Sequence, residues 1–160
     1  SDTDVLDYIY AILNHRGYLN RFAQELKTNF PPIPVPQSDM EFRRLSSFGS
    51  ELRSLHTAAR DPSLASSVSF PISGQNLVER PKWIDNKLFI NESQYFENVP
   101  SGVWAENYGG FPVLERWLQD RRGQQLSLKQ LQSFLEIVDA LAETIKIRLR
   151  LQDEVVAVIK

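Results

Sequence analysis

The chain has 160 residues, 42% of them hydrophobic and 11% aromatic, with seven glycines, nine prolines and no cysteine. A chain of that length buries a real core without disulfides or metal. The missing cysteines exclude a disulfide scaffold, thiolate catalysis and cysteine-ligated zinc or iron–sulfur. No apolar run approaches the ~20 residues of a membrane span, and no signal-peptide pattern opens the chain, so a soluble, cytoplasmic protein without a membrane partner is expected. The formal charge of −2 lacks the basic excess of a free-standing nucleic-acid binder. It suits a domain whose neighbours supply part of the grip. The first residue is Ser1 rather than methionine, and a fragment of a larger protein is expected.

The first part, about residues 1–62, reads as helical. Asp2, Thr3 and Asp4 offer a cap and first-turn negative charge, and Val5, Leu6, Ile9, Ile12 and Leu13 recur at helical spacing. Gly17 interrupts, and Tyr18 to Lys27 resumes with Phe22 and Leu26 four apart. Residues 30–36 then hold Pro31, Pro32, Pro34 and Pro36, too many for a helix. They predict a stiff, extended crossing packed on a surface. Ser38 or Asp39 caps a further helix to about Arg60, with Leu45, Phe48, Leu52 and Leu55 facing the core; Asp61-Pro62-Ser63 closes it.

Residues from about 67 to 108 change to short extended pieces, predicting a small, mainly antiparallel sheet. Val68 to Ser73 alternates apolar and polar like a half-buried strand. Lys82-Trp83-Ile84 and Lys87 to Asn91 flank Asp85-Asn86, a good tight-turn pair. Tyr95-Phe96 and Val103-Trp104 read as further strands. From about 110 to 151 the pattern is helical again. Pro112 suits a first helical turn, Phe111, Leu114, Trp117 and Leu118 form one face, and Arg121-Arg122-Gly123 ends it. Ser127 to Gln130 has the form of a capping box. It opens a long amphipathic helix of about 24 residues with Leu131, Leu135, Val138, Ala142, Ile145 and Leu149 as its stripe. The tail Val155 to Ile159 is a last strand or a frayed end. The fold class is α+β: a helical N-terminal third, a sheet in the middle, and two C-terminal helices including the long one.

Catalytic constellations are missing. His15 and His56, the two histidines, sit in separate helices without metal-ligand spacing, so no metal, cofactor or catalytic residue is expected. Gly109-Gly110 is not part of any phosphate-loop pattern. Asn29-Phe30-Pro31-Pro32 has the wrong order for an amino-methyltransferase motif. What remains is a binding surface. Arg80, Lys82, Trp83, Asn86 and Lys87 crowd long donors around an aromatic and a turn, and Asn107 and Tyr108 form a second group with Trp104. Cationic and amide side chains are what phosphates and base edges require.

The order of the pieces is more specific than any one of them. Asp7-Tyr8-Ile9-Tyr10-Ala11-Ile12-Leu13-Asn14, then Phe30 to Pro36, then Gly49-x-Glu51-Leu52-x-x-Leu55-His56 open the chain. Ile90-Asn91-x-x-Gln94-Tyr95-Phe96, Gly109-Gly110-Phe111-Pro112-Val113-Leu114-x-x-Trp117-Leu118 and Arg121-Arg122-Gly123 follow. Together they resemble the C-terminal specificity domain of type ISP restriction–modification enzymes, along essentially the whole chain. The resemblance implies one target-recognition domain over residues 1–160, double-stranded DNA as partner, and an adenine-methyltransferase domain in the same parent chain that flips its target base. It carries over no base contact by motif. The rival reading is a scaffold domain that docks neighbouring domains and reads no DNA.

Overall fold

The computed structural model describes residues 1–57, 66–108 and 110–154. Arg60, Asp61-Pro62-Ser63, Gly109 and the tail Val155 to Ile159 lie outside the described residues. The chain divides into two compact units, Ser1–Ala59 with Glu143–Lys160, and Arg60–Ala142.

In the first unit, α1 (Asp2–Asn14) is capped by Ser1, whose side chain accepts from the Asp4 amide in a capping box; the cap falls one residue earlier than Asp2. The buried face of α1 is Asp7, Tyr8, Ala11 and Ile12. Val5 and Leu6, expected in the core, are 50% and 52% exposed. The face is rotated because α1 packs on α4 (Asp39–Thr57) at Gly49. A Cβ there would stand 1.7 Å from the Asp7 carbonyl oxygen, so only glycine lets the two helices approach so closely. Asp7 itself is buried, and Arg53 of α4 answers it, Nε donating to Oδ1 at 2.6 Å and Nη2 to Oδ2 at 3.3 Å. Ser46 Oγ donates to the Asp4 carbonyl at 2.9 Å, one helical turn away.

The break after α1 lies at His15, in an extended conformation, and Gly17 sits inside α2 (Arg16–Arg21); a short α3 follows (Glu25–Thr28). Residues 30–36 are extended, as four prolines demand. Pro31 and Pro34 are buried while Pro32 and Val35 are exposed, the three-residue period of polyproline II. The crossing offers carbonyls but few amide donors, so tyrosines supply the hydrogen. Tyr8 Oη donates to the Pro34 carbonyl at 2.7 Å, and Tyr18 Oη shares a weaker donation between Pro31 and Pro32. Burial, helped by Glu41, pushes the Tyr8 hydroxyl up to about 12, so it remains a donor. Ser38 caps α4 by accepting from the Glu41 amide at 3.1 Å. The end of the C-terminal helix adds Ile147 and Leu151 to a core of Tyr8, Ala11, Ile12, Tyr18, Leu45 and Leu52.

In the second unit, β1 (Lys82–Ile84), β2 (Lys87–Phe89) and β3 (Tyr95–Glu97) form an antiparallel sheet in that order. Val68 to Ser73 contributes a single bridge, Ser69 with Glu97, instead of a strand. Val103-Trp104, expected as strand, lies in the helical turn α5 (Ser101–Trp104), because Pro100 sits at its N-cap and its carbonyl accepts from the Val103 and Trp104 amides. A two-residue ribbon, β4 (Asn107–Tyr108) with β5 (Phe111–Pro112), leads into α6 (Val113–Gln119), for which Pro112 is the N-cap. The capping box at Ser127 and Gln130 is present in both directions, and α7 runs Leu128–Gln152. In this unit its buried residues are Leu131, Phe134, Val138 and Leu141. The expected stripe shares only Leu131 and Val138 with that face, and Leu149 ends 61% exposed. Phe134 turns the helix: its ring lies 4.4 Å from Phe96 of the sheet and 4.9 Å from Trp117 of α6, centroid to centroid. The fold is mixed α+β.

Gly49→Ala is expected to cost about 3 kcal/mol or more by overpacking, a drop on the order of 10 °C in thermal melting. Gly102→Ala, whose Cβ meets nothing within 4 Å, is expected to leave melting unchanged or raised.

Candidate functional site

The β1–β2 hairpin turns through Asp85 and Asn86 at φ 48° and 62°. Two successive left-handed residues make the turn whose twist matches paired strands. The register fixes what each face carries. Trp83, Leu88 and Phe96 are cross-strand partners, as are Lys82, Phe89 and Tyr95, and Ile84, Lys87 and Glu97. Leu88 and Phe96 are fully buried, so the first set faces the core and the other two face outward. On the outward face the Phe89 and Tyr95 rings lie 5.0 Å apart and Lys87 Nζ stands 4.8 Å above Tyr95.

Beside this face lies an open groove of about 790 Å³. Leu77, Ile84 and Phe89 give it an apolar floor, and Arg80, Lys82 and Arg122 line it with positive charge, alongside Glu79 and Glu92. Arg122 reaches the site through backbone pairing: the Gly123 amide donates to the Val78 carbonyl at 2.8 Å, and the Val78 amide to the Gln124 carbonyl at 2.9 Å. Among the described residues, Arg80, Lys82 and Arg122 meet no carboxylate and donate no side-chain hydrogen bond. Arginines elsewhere do find carboxylates, as Arg43 does with Asp39, Arg53 with Asp7 and Arg116 with Asp120. An unpaired cation on an apolar groove can pair with an external anion or hydrogen-bond acceptor.

The groove's walls are held by one buried carboxamide. Gln94 Oε1 accepts from the Asn76 amide at 2.8 Å and from Asn91 Nδ2 at 3.0 Å, while its Nε2 donates to the Ile72 carbonyl at 3.0 Å and Asn76 Oδ1 at 2.9 Å. A Cβ on Gly74 would come within 2.7 Å of that carboxamide.

Of the residues singled out in sequence, Arg80 and Lys82 line the groove and Lys87 lies on the adjoining outward face. Asn86 is at the exposed turn, its carbonyl accepting from the Val99 amide. Trp83 lies on the opposite face, its indole Nε1 donating to the Val99 carbonyl at 2.9 Å, so it braces the sheet. Asn107 is exposed on β4 and donates weakly to the Ala105 carbonyl; it does not line the groove. The Tyr108 backbone pairs with Phe111, and its side chain lies outside the described residues. Glu79, Phe89, Glu92 and Arg122 are groove residues that sequence reasoning missed. Arg122 carries no local signal, because a pairing between residues 78 and 123 is set by tertiary structure.

Among the described residues, neither histidine meets a carboxylate side chain. His56 Nδ1 meets Tyr10 Oη at 2.6 Å and Nε2 meets Thr144 Oγ1 at 2.9 Å, and burial, reinforced by Arg148, holds its pKa below the ordinary value. His15 Nε2 meets the Glu154 carbonyl at 3.0 Å. Among the described residues, no cluster of histidine, aspartate and glutamate is arranged for a metal, and no helix is long and apolar enough to cross a membrane.

Residues 1–148 match the Type ISP C-terminal specificity domain. The chain belongs to that family. Similar folds occur in solved structures, among them three that contain DNA or a DNA mimic. A nuclease-deletion mutant of the Type ISP restriction-modification enzyme LlaGI, in complex with a DNA substrate mimic, has a TM-score of 0.70 at 19% identity, covering 92% of this chain and 13% of its own. The ATP-dependent Type ISP restriction-modification enzyme LlaBIII bound to DNA has a TM-score of 0.72 at 19% identity, covering 98% and 11%. The DrdV–DNA complex has a TM-score of 0.68 at 18% identity, covering 98% and 18%. This specificity domain thus spans less than a fifth of each of those chains. No curated protein matches it.

Gln94→Leu strands the Asn76 amide, the Asn76 Oδ1 and the Ile72 carbonyl, and leaves Asn91 Nδ2 with the Leu77 carbonyl as its acceptor. At about 1–3 kcal/mol for a stranded group, it should lower thermal stability by at least about 3 kcal/mol. For His56, a pKa lowered in the fold means that the unfolded chain binds its proton first. The stabilisation is therefore complete above about pH 6.5 and is lost as pH falls below it. Melting curves at neutral and mildly acid pH should show a larger acid loss in the wild type than in His56→Gln. Equal losses would remove His56 from the explanation.

Proposed function

We propose that this chain is the part of a restriction–modification enzyme that reads a short sequence in double-stranded DNA. The observation that carries the reading is the trio Arg80, Lys82 and Arg122, without partners among the described residues and set on an apolar groove beside an exposed hairpin. Membership of a specificity-domain family supports it, as do DNA complexes among the proteins of similar fold. A two-stranded ribbon fits the major groove of B-DNA, so the β1–β2 hairpin, with Asn86 at its turn and Lys82 and Lys87 on its outward face, is the element we assign to the duplex. Trp83 supports the ribbon from behind. The β4–β5 ribbon, with Asn107 and Tyr108, is a second candidate contact.

The chemistry belongs elsewhere in the parent. An N6-adenine methyltransferase domain of the same chain is the proposed partner, flipping its target base once the site is read, with or without nuclease and translocase parts. The working compartment is the cytoplasm, where that DNA lies. The charge of −2 implies that this domain alone grips DNA weakly and that other parts of the parent contribute most phosphate contacts.

Neutralising Arg80, Lys82, Lys87 and Arg122 together in the intact enzyme should weaken duplex binding. It should also flatten the dependence of log affinity on log salt by about 0.9 for each phosphate no longer neutralised. Affinity and salt slope that both stay unchanged would reject these residues as the DNA-binding set.

A further inference from the structure

Which base pair this groove accepts is decided by which of its groups remain free, an argument that rests on the DNA-reading proposal above. Adenine is read best by a side-chain carboxamide that donates and accepts at once. Among the described residues, the carboxamide that lines this groove is that of Asn91, and it is engaged, as is that of its partner Gln94. Asn91 Nδ2 donates to the Leu77 carbonyl and to Gln94 Oε1, and its Oδ1 accepts from the Ser93 amide, the Ser93 hydroxyl and the Gln94 amide. Gln94 is 1% exposed and its side chain makes four hydrogen bonds. Neither can turn outward without dismantling the loop it holds.

The free side chains lining the groove, among the described residues, are all charged: Arg80, Lys82 and Arg122 as donors, Glu79 and Glu92 as acceptors. Two carboxylates would repel a bare phosphodiester, so phosphate contact alone leaves them unexplained. A guanine–cytosine pair accounts for both signs. Guanine presents the acceptors O6 and N7, which an arginine meets bidentately, and cytosine presents its N4 amino donor, which a carboxylate accepts. We infer that this groove recognises a guanine–cytosine pair, with Arg80 or Arg122 donating to guanine O6 and N7 and Glu79 or Glu92 accepting from cytosine N4. The specificity of this site is then set by charged donors and acceptors, while the Asn91 carboxamide serves the architecture.

The test uses the intact enzyme that carries this domain and a pool of random duplexes. Sites selected by binding should contain a guanine–cytosine pair. In the best site, 7-deazaguanine, which lacks the N7 acceptor, should weaken binding about fivefold or more at one guanine. Glu79→Gln with Glu92→Gln, which turns acceptors into carboxamides, should admit adenine–thymine at that position. Selected sites without guanine, or deaza substitution that changes nothing at any guanine, would overturn the assignment while sequence-selective DNA reading stands. Failure to bind any duplex would overturn both.

Discussion

One carboxamide, that of Gln94, organises the surface of the second unit. It is fully inside the protein, where an amide without partners costs several kcal/mol. Its donors and acceptors find partners on different stretches of chain: the Ile72 carbonyl, the backbone and side chain of Asn76, and the side chain of Asn91. Asn91 passes the constraint to Leu77, and Asn76 passes it to Leu126, whose amide donates to the Asn76 carbonyl at 2.8 Å. Segments with no regular secondary structure acquire fixed positions in this way. The groove walls at residues 77–80 and 91–92 are among them, so the placement of Arg80 depends on a residue that it never touches.

The first unit solves a different problem. Its helices come together at Gly49, where the missing side chain permits near contact of backbones. The polar consequence is handled by placing Arg53 on Asp7 and Ser46 on Asp4. Close approach and buried charge belong to one device here, because a larger residue at position 49 would separate Asp7 from its guanidinium.

Local chemistry was legible in the sequence wherever a few adjacent residues decide the outcome. The Asp85-Asn86 turn, the Ser127–Gln130 capping box and the extended proline crossing are all set by such short stretches. Helix faces were harder. The periodicity of α1 points to Val5 and Leu6, yet Asp7 is buried in their place because α4 offers it a partner 46 residues away. In α7, aromatic stacking on Phe96 and Trp117 selects Phe134 over Leu135. The candidate site divided along the same line. Arg80, Lys82 and Lys87 lie close together around one hairpin and could be found by proximity in sequence, whereas Arg122 arrives by long-range pairing. Trp83 falls opposite its neighbours Lys82 and Ile84 because successive residues of a strand point to opposite faces.

The tyrosine-held proline crossing also protects the protein from itself. Phe30 and Val35 are 91% and 83% exposed, and an exposed apolar stretch in extended conformation normally invites a strand from another molecule to add along its edge. Between residues 31 and 36 only Ile33 and Val35 carry amide hydrogens, and the Pro34 carbonyl is already taken by Tyr8. A neighbouring chain would find almost no ladder to extend, so this segment resists strand addition in spite of its greasy surface.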